Sequence, residues 1–240
     1  NYPIISYKDE DFNFGTYDIS FENVDFSYTK DREVLKDINF EMNEGSCVGI
    51  LGGNGSGKTT LLSVLAGILK PDAGQFIYMG RDLLRDKIFR SSTVGLIPQT
   101  NPLIEELSAW DNLILWYDKN ELLKALKSGV PAMLGIDEFL NVRVSRMSGG
   151  MKKRLSIACA VAFSPRVLLM DEPSAALDLV CKEHIHNYIN AFKKAGGSII
   201  LVTHDEGDLK LCTRHYILKN GILEAYIYDG DVHKLVDRIR

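Results

Sequence analysis

From Ile19 onward, apolar and polar residues alternate. Ile19 and Phe21 share one face, and Val24, Phe26 and Tyr28 continue after a slip in the pattern. A period of two predicts a half-buried strand, and the slip predicts a bulge in it. Residues 34–42 predict a second strand. Residues 46–51 form a short apolar run before a glycine-rich turn, and 58–69 predict a helix closed by Lys70 and Pro71. Residues 75–79 and 93–97 predict further short strands. Between about 100 and 164 the pattern changes. Trp110, Leu113, Leu115 and Trp116, then Leu122, Leu123 and Leu126, recur at helical spacing. After Pro165 short apolar runs return. Residues 167–170 and 199–202 are unbroken, as strands covered on both faces should be. Ile185, Tyr188, Ile189 and Phe192 form one helical face between them, and 217–228 read as strands. The sum is an α/β core, 19–98 and 165–240, interrupted by a helical segment over about 99–164. Residues 1–18 show no clear period and are expected to form a loosely held arm.

Composition narrows the class. Of the 240 residues, 45% are apolar and 25% charged, which excludes disordered and low-complexity chains. The longest apolar run spans 157–163, whereas a membrane-crossing helix needs about 20 residues. No secretory leader is expected. The net charge of −4, from 28 Lys and Arg against 32 Asp and Glu, argues against nucleic acid as a partner. Cys47, Cys159, Cys181 and Cys212 lie far apart in apolar surroundings and are expected to be reduced, buried thiols.

The turn after residues 46–51 carries chemistry. Gly52, Gly53, Asn54, Gly55, Ser56, Gly57, Lys58 and Thr59 fit G-x-x-x-x-G-K-[ST]. A phosphate needs several backbone N–H groups converging on it. Glycines allow that close approach, and the following helix adds free N–H groups and its positive dipole end. Lys58 supplies a charge for the β and γ phosphates, and Thr59 a hydroxyl for Mg²⁺. Residues 167–170 deliver Asp171 and Glu172 at the end of a buried strand, where α/β sheets bind ligands. Asp171 suits a magnesium ion, and Glu172 a water aimed at the γ phosphate. His204 follows another buried strand and suits a γ phosphate. Gln99, after residues 95–98, is placed to bridge the metal site and the helical segment.

With Met147, Ser148, Gly149, Gly150, Met151, Lys152, Lys153 and Arg154 the chain resembles the ATP-binding subunit of ABC transporters, because this stretch is similar to the family's signature motif. The resemblance runs from about 19 to 229, with the family's elements in order. It implies a P-loop NTPase fold with an N-terminal antiparallel β-subdomain and an inserted helical subdomain, all within one domain over 19–240. It implies that Tyr28 stacks on adenine, that residues 52–60, including Thr60, hold the phosphates, and that Gln99 belongs to the Q-loop. Ser174, Ala175, Ala176, Leu177 and Asp178 resemble the D-loop, and His204 the switch histidine. Gly53 stands where the family often has Pro, Met147 where it has Leu, and Met151 where many members have Gln. The resemblance implies that ATP and Mg²⁺ bind and that two copies pair head to tail, Ser148, Gly149 and Gly150 of one closing the phosphate loop of the other. It further implies an integral membrane transporter subunit as partner, a place on the cytoplasmic face of the membrane, and ATP hydrolysis as the activity. A soluble member serving a non-transport complex, such as iron–sulfur cluster assembly, shares every nucleotide residue and stays open as an alternative. Trp110, Leu113 and Trp116 are expected in the core rather than against that partner.

Two further groups of residues take plain readings. Lys152, Lys153 and Arg154 read as a solvated helix face. Cys181, His184 and His186 have metal-binding side chains, but 181 and 184 share a helical face that 186 leaves, so an ordinary amphipathic helix is expected.

Overall fold

A computed structural model describes residues 18–239; the arm expected over 1–17 lies outside the described residues. The bulged strand β1 (Ile19–Thr29) pairs antiparallel with β2 (Arg32–Met42), with register shifts between Phe21 and Thr29. On its other edge β1 pairs with β4 (Ala73–Tyr78), which continues to β5 (Arg81–Asp82), giving the order β2-β1-β4-β5. Phe21 stacks between Phe40 and Phe76 at centroid distances of 4.1 and 4.3 Å, which pins the three strands at their buried faces.

The second sheet has the order β10-β9-β3-β8-β7-β6. β3 (Cys47–Leu51), β7 (Val167–Asp171) and β8 (Ser198–Val202) are buried at every position, and with β6 (Val94–Ile97) they run parallel. All their C-terminal ends therefore open on one edge, where the glycine turn, the acidic pair and His204 follow. β9 (Arg214–Lys219) joins β3 in parallel and turns back into β10 (Ile222–Tyr226) through Asn220 and Gly221. Both turn residues have positive φ, the pair a two-residue hairpin needs.

Helix α1 (Lys58–Leu65) is shorter than the expected 58–69. Gly67 takes φ 73° and ends it, as a glycine past a helix C-terminus does. α2 (Lys87–Thr93) leads into β6. The segment 99–164 contains α3 (Ala109–Leu113), α4 (Lys119–Ser128), α5 (Val130–Met133) and α6 (Gly149–Ala160), with two 3₁₀ turns between α5 and α6. α7 (Leu179–Lys194) buries Cys181, Ile185, Tyr188 and Ile189. The short α8 (Glu206–Leu209) follows His204. The terminal helix α9 (Val232–Ile239), which the hydrophobic pattern did not reveal, packs Leu235 with Leu51, Leu209 and Ile217.

The two faces of the parallel sheet close separate cores. One joins Val48, Ile50, Leu169 and Ile200 to α1 and the antiparallel sheet; the other joins Leu168, Met170, Ile199 and Leu201 to the helices of 99–164 and to α7. All four cysteines are free thiols, and Cys47, Cys159 and Cys181 are buried. Cys212 is only half-buried, and its Sγ lies 3.3 Å from that of Cys47.

Candidate active site

The glycine turn between β3 and α1 is shaped by contacts only glycine allows. A Cβ on Gly52 would collide with the carbonyl of Leu218, and one on Gly57 would come within 3.1 Å of Val34. Gly57 takes φ 105° and begins α1 with no side-chain cap, so the first N–H groups of the helix face the loop. The buried Ser56 hydroxyl has no protein partner. Uncapped N–H groups, an orphan hydroxyl and a cradle that a Cβ would fill together fit a phosphate chain. A Cβ on Gly53 would meet α9 at ordinary contact distance, 3.7 Å from the Ile239 carbonyl oxygen.

Lys58 curls over the loop, its Nζ donating to the carbonyls of Gly52 at 2.7 Å and Gly53 at 2.9 Å. Burial lowers its pKa, and the Glu172 and Asp171 carboxylates oppose that shift. Thr59 donates its hydroxyl to Asp171 Oδ2 at 2.8 Å, across 112 positions of chain. This pair is a hard-oxygen set of the kind Mg²⁺ takes. Tyr28 is half exposed at the end of β1, its hydroxyl 3.1 Å from that of Thr60 on α1. Its ring face therefore borders the loop, with Arg32 on it at 5.8 Å and Phe26 against it edge-on.

Glu172 and His204 meet. Oε1 of Glu172 lies 3.3 Å from His204 Nε2, and Oε2 accepts the backbone N–H of His204 at 3.3 Å. Burial raises the Glu172 pKa, with Asp171 adding to it against the His204 N–H. Burial and the Lys58 charge lower that of His204. A carboxylate pushed up and an imidazole pushed down have their proton affinities moved toward each other.

Gln99 is an exposed residue just past β6. Its carbonyl accepts from Lys153 Nζ at 3.0 Å, and Pro98's at 2.9 Å. This corrects the reading of 152–154 as a solvated face. Lys153 and Arg154 are buried, Arg154 donating to Leu134's carbonyl at 2.9 Å, and only Lys152 lies near the surface, paired with Glu105. A lysine on an amphipathic pattern looks solvated, but α6 is covered on both sides, so its long stem crosses to the Pro98 and Gln99 carbonyls.

Ser148 caps α6, accepting the Met151 N–H at 3.2 Å. Gly149 is open, with nothing within 4 Å of a Cβ, whereas Gly150 is buried and a Cβ there would overlap Cys181 Sγ. The two glycines thus differ: one leaves backbone exposed, the other lets α6 touch α7. Asp178 caps α7 through the Cys181 N–H at 2.8 Å, and that bond lowers its pKa. Gly150→Val is expected to destabilise the fold by about 1–3 kcal/mol, and Cys181→Gly to recover part of it. Thermal unfolding of the single and double variants checks this, and strictly additive losses would reject the contact as the cause. His184 and His186 diverge, His184 Nδ1 lying 3.1 Å from Met133's carbonyl and His186 turning to Asp208.

A family profile described as ABC transporter matches residues 35–175. The chain belongs to the ABC transporter family. It is 34% identical over 212 residues to the energy-coupling factor transporter ATP-binding protein EcfA1 of Mycoplasmoides gallisepticum, covering 85% of this chain and 76% of that protein. It is 32% identical to the Nod factor export ATP-binding protein I of Rhizobium etli, covering 92% of this chain and 70% of that one. Among solved structures, a dimeric post-hydrolysis state of the ATP-binding cassette MJ0796 bound to ADP and Pi superposes with a TM-score of 0.76 at 28% identity, covering 86% of this chain and 96% of that one. The ATP-binding subunit of another ABC transporter superposes at 0.78 and 26%, covering 92% and 94%. The fold is that of the P-loop NTPase cassette, and the chain is an ABC ATPase that binds ATP, hydrolyses it and serves transport. No helix among the described residues is long and apolar enough to cross a membrane.

Proposed function

We propose that residues 19–240 form one cassette that drives a membrane-embedded transporter subunit by closing on ATP with a second copy of itself. The observation that carries this reading is the convergence of Thr59, Asp171, Glu172 and His204 at the C-terminal ends of three parallel strands, beside the phosphate loop. Tyr28 stacks on adenine. The N–H groups of 52–60 and the Lys58 ammonium hold the phosphates. Thr59, Asp171 and Gln99 would hold Mg²⁺, which when bound would neutralise charge on the phosphate oxygens. Glu172 takes a proton from the attacking water, and His204 steadies the γ phosphate. Ser148, Gly149 and Gly150 of the second copy present the start of α6 to that phosphate, and Asp178 lies on the same face. The MJ0796 cassette is described as dimeric in a post-hydrolysis state bound to ADP and Pi.

The raised pKa of Glu172 has a sign. Glu172 accepts a proton only when ionised, so kcat is expected to fall as pH drops through a value above the usual carboxylate range. A kcat–pH profile checks this. An acid limb at the ordinary glutamate value would contradict burial as its cause.

In this reading the membrane partner docks on an apolar patch of the helical segment. Trp116 and Phe163 are exposed and meet edge-on at 6.3 Å over a cavity of about 240 Å³ lined also by Leu103, Cys159 and Pro165. Leu113 is in the core, as expected, but Trp116 is not. Names such as "Nod factor export" and the cbiONQ complex favour transport over a soluble assembly. In source cells the chain is expected in the membrane fraction, released by detergent, with Trp116→Ala shifting it to the soluble fraction. A complex that sediments intact without membranes would favour the soluble alternative.

A further inference from the structure

The turn after β7 contains two non-glycine residues in left-handed backbone, Glu172 at φ 49° and Ala176 at φ 56°. Such conformations persist only where the surroundings over-determine them. Midway between them Ser174 is fully buried. Its hydroxyl donates to Asp208 Oδ1 at 2.6 Å. Asp208 lies in α8 with no exposed surface, and a buried carboxylate needs donors on both oxygens. Oδ2 accepts the hydroxyl of Thr203, the residue before His204, at 2.8 Å, and Oδ1 also accepts from His186 Nε2 at 2.8 Å. The Thr203 oxygen in turn accepts the Asp205 N–H at 3.0 Å. One carboxylate thus grips both the turn that carries Glu172 and the strand end that carries His204.

The geometry points to Asp208 as a positioning residue for hydrolysis. By holding Ser174 and Thr203 together, with His186 as its third donor, it keeps Glu172 in strained backbone facing His204 and fixes the D-loop to the same anchor. A cation site is the competing use of this cluster, since ligand atoms of His186, Asp205 and Asp208 lie within 4.8 Å of one another. The protein already fills it: the Lys182 ammonium sits on Asp205, and three donors occupy Asp208.

This inference rests on Glu172 as the base, so its test runs beside Glu172→Gln. Steady-state ATPase assays of the purified chain would compare Ser174→Ala, Ser174→Thr and Asp208→Asn, with amide hydrogen exchange followed over residues 172–178. Ser174→Ala is expected to lower kcat about tenfold, to leave KM for ATP within about twofold and to speed exchange in the turn. Ser174→Thr, which keeps the hydroxyl, is expected to restore both. Wild-type kcat in Ser174→Ala overturns the inference, as does a loss of kcat without faster exchange or without rescue by threonine. Should Asp208→Asn fail to fold, the Ser174 pair still decides. If Glu172→Gln is inactive while Ser174→Ala turns over normally, the anchor alone fails; if Glu172→Gln turns over normally, the assignment of the base fails and the anchor with it.

Discussion

Glu172→Gln is expected to bind ATP as the wild type does and to turn it over at least about a hundredfold more slowly. The amide keeps the size of the side chain and accepts from the His204 N–H as the carboxylate does, at the 3.3 Å seen here. It loses the one property the chemistry needs, a group that takes a proton from water. Binding is expected to survive because the groups that hold the phosphates, Lys58 and the start of α1, are elsewhere. With hydrolysis blocked, an ATP-closed pair of chains should accumulate, read by size-exclusion chromatography with ATP and Mg²⁺ against ADP. Near-normal turnover would remove Glu172 from the role of base. Slow turnover with no ATP-dependent dimer would leave the base in place and remove the head-to-tail pairing.

Lys58→Met is expected to weaken ATP binding by about a hundredfold. The ammonium is anchored on the Gly52 and Gly53 carbonyls, largely out of water, at the loop expected to hold the phosphates. A hydrogen bond to a charged group contributes about 1.5–3 kcal/mol, so two of them at the lower end of that range amount to about a hundredfold in Kd. Methionine keeps the stem and its packing and removes the charge. Equilibrium binding of a fluorescent ATP analogue, with a thermal melt to confirm folding, checks the change. An unchanged Kd would show that the backbone N–H groups alone hold the phosphates. Burial lowers the lysine's pKa, so wild-type affinity should fall as pH rises through a value below that of an ordinary lysine, a loss the methionine variant, with no proton to give up there, does not show.

Much of this site was legible in the linear pattern because its parts are local. A phosphate loop is a strand, a run of glycines and a helix start, all within residues 47–65, and the spacing of Gly52, Gly57 and Lys58 follows from one turn of backbone. The acidic pair and His204 were legible for a similar reason, since each follows an unbroken apolar run that could only be a buried strand. The helix at 58–69 was read four residues too long because apolar spacing continues through Ile68 and Leu69. The backbone of Gly67, not the side-chain pattern, stops it. Lys153 was misread because a charged residue signals solvent only if its helix has a solvent face. α6 is enclosed by the Pro98 and Gln99 carbonyls on one side and by helices on the other, a fact of packing that no short window contains.

By itself, then, the order of residues determined the family, the nucleotide chemistry and the strand ends where that chemistry gathers, because short-range spacing dictates which backbone donors and which carboxylates can face a phosphate. Only the tertiary structure decided how those pieces are held. The Thr59–Asp171 bond, the Glu172–His204 pair and the Asp208 anchor join positions up to 112 residues apart. Hydrogen bonds of that range exist because parallel strands bring their ends to one edge, and the order of strands in the sheet is set by packing on both its faces rather than by neighbours in the chain.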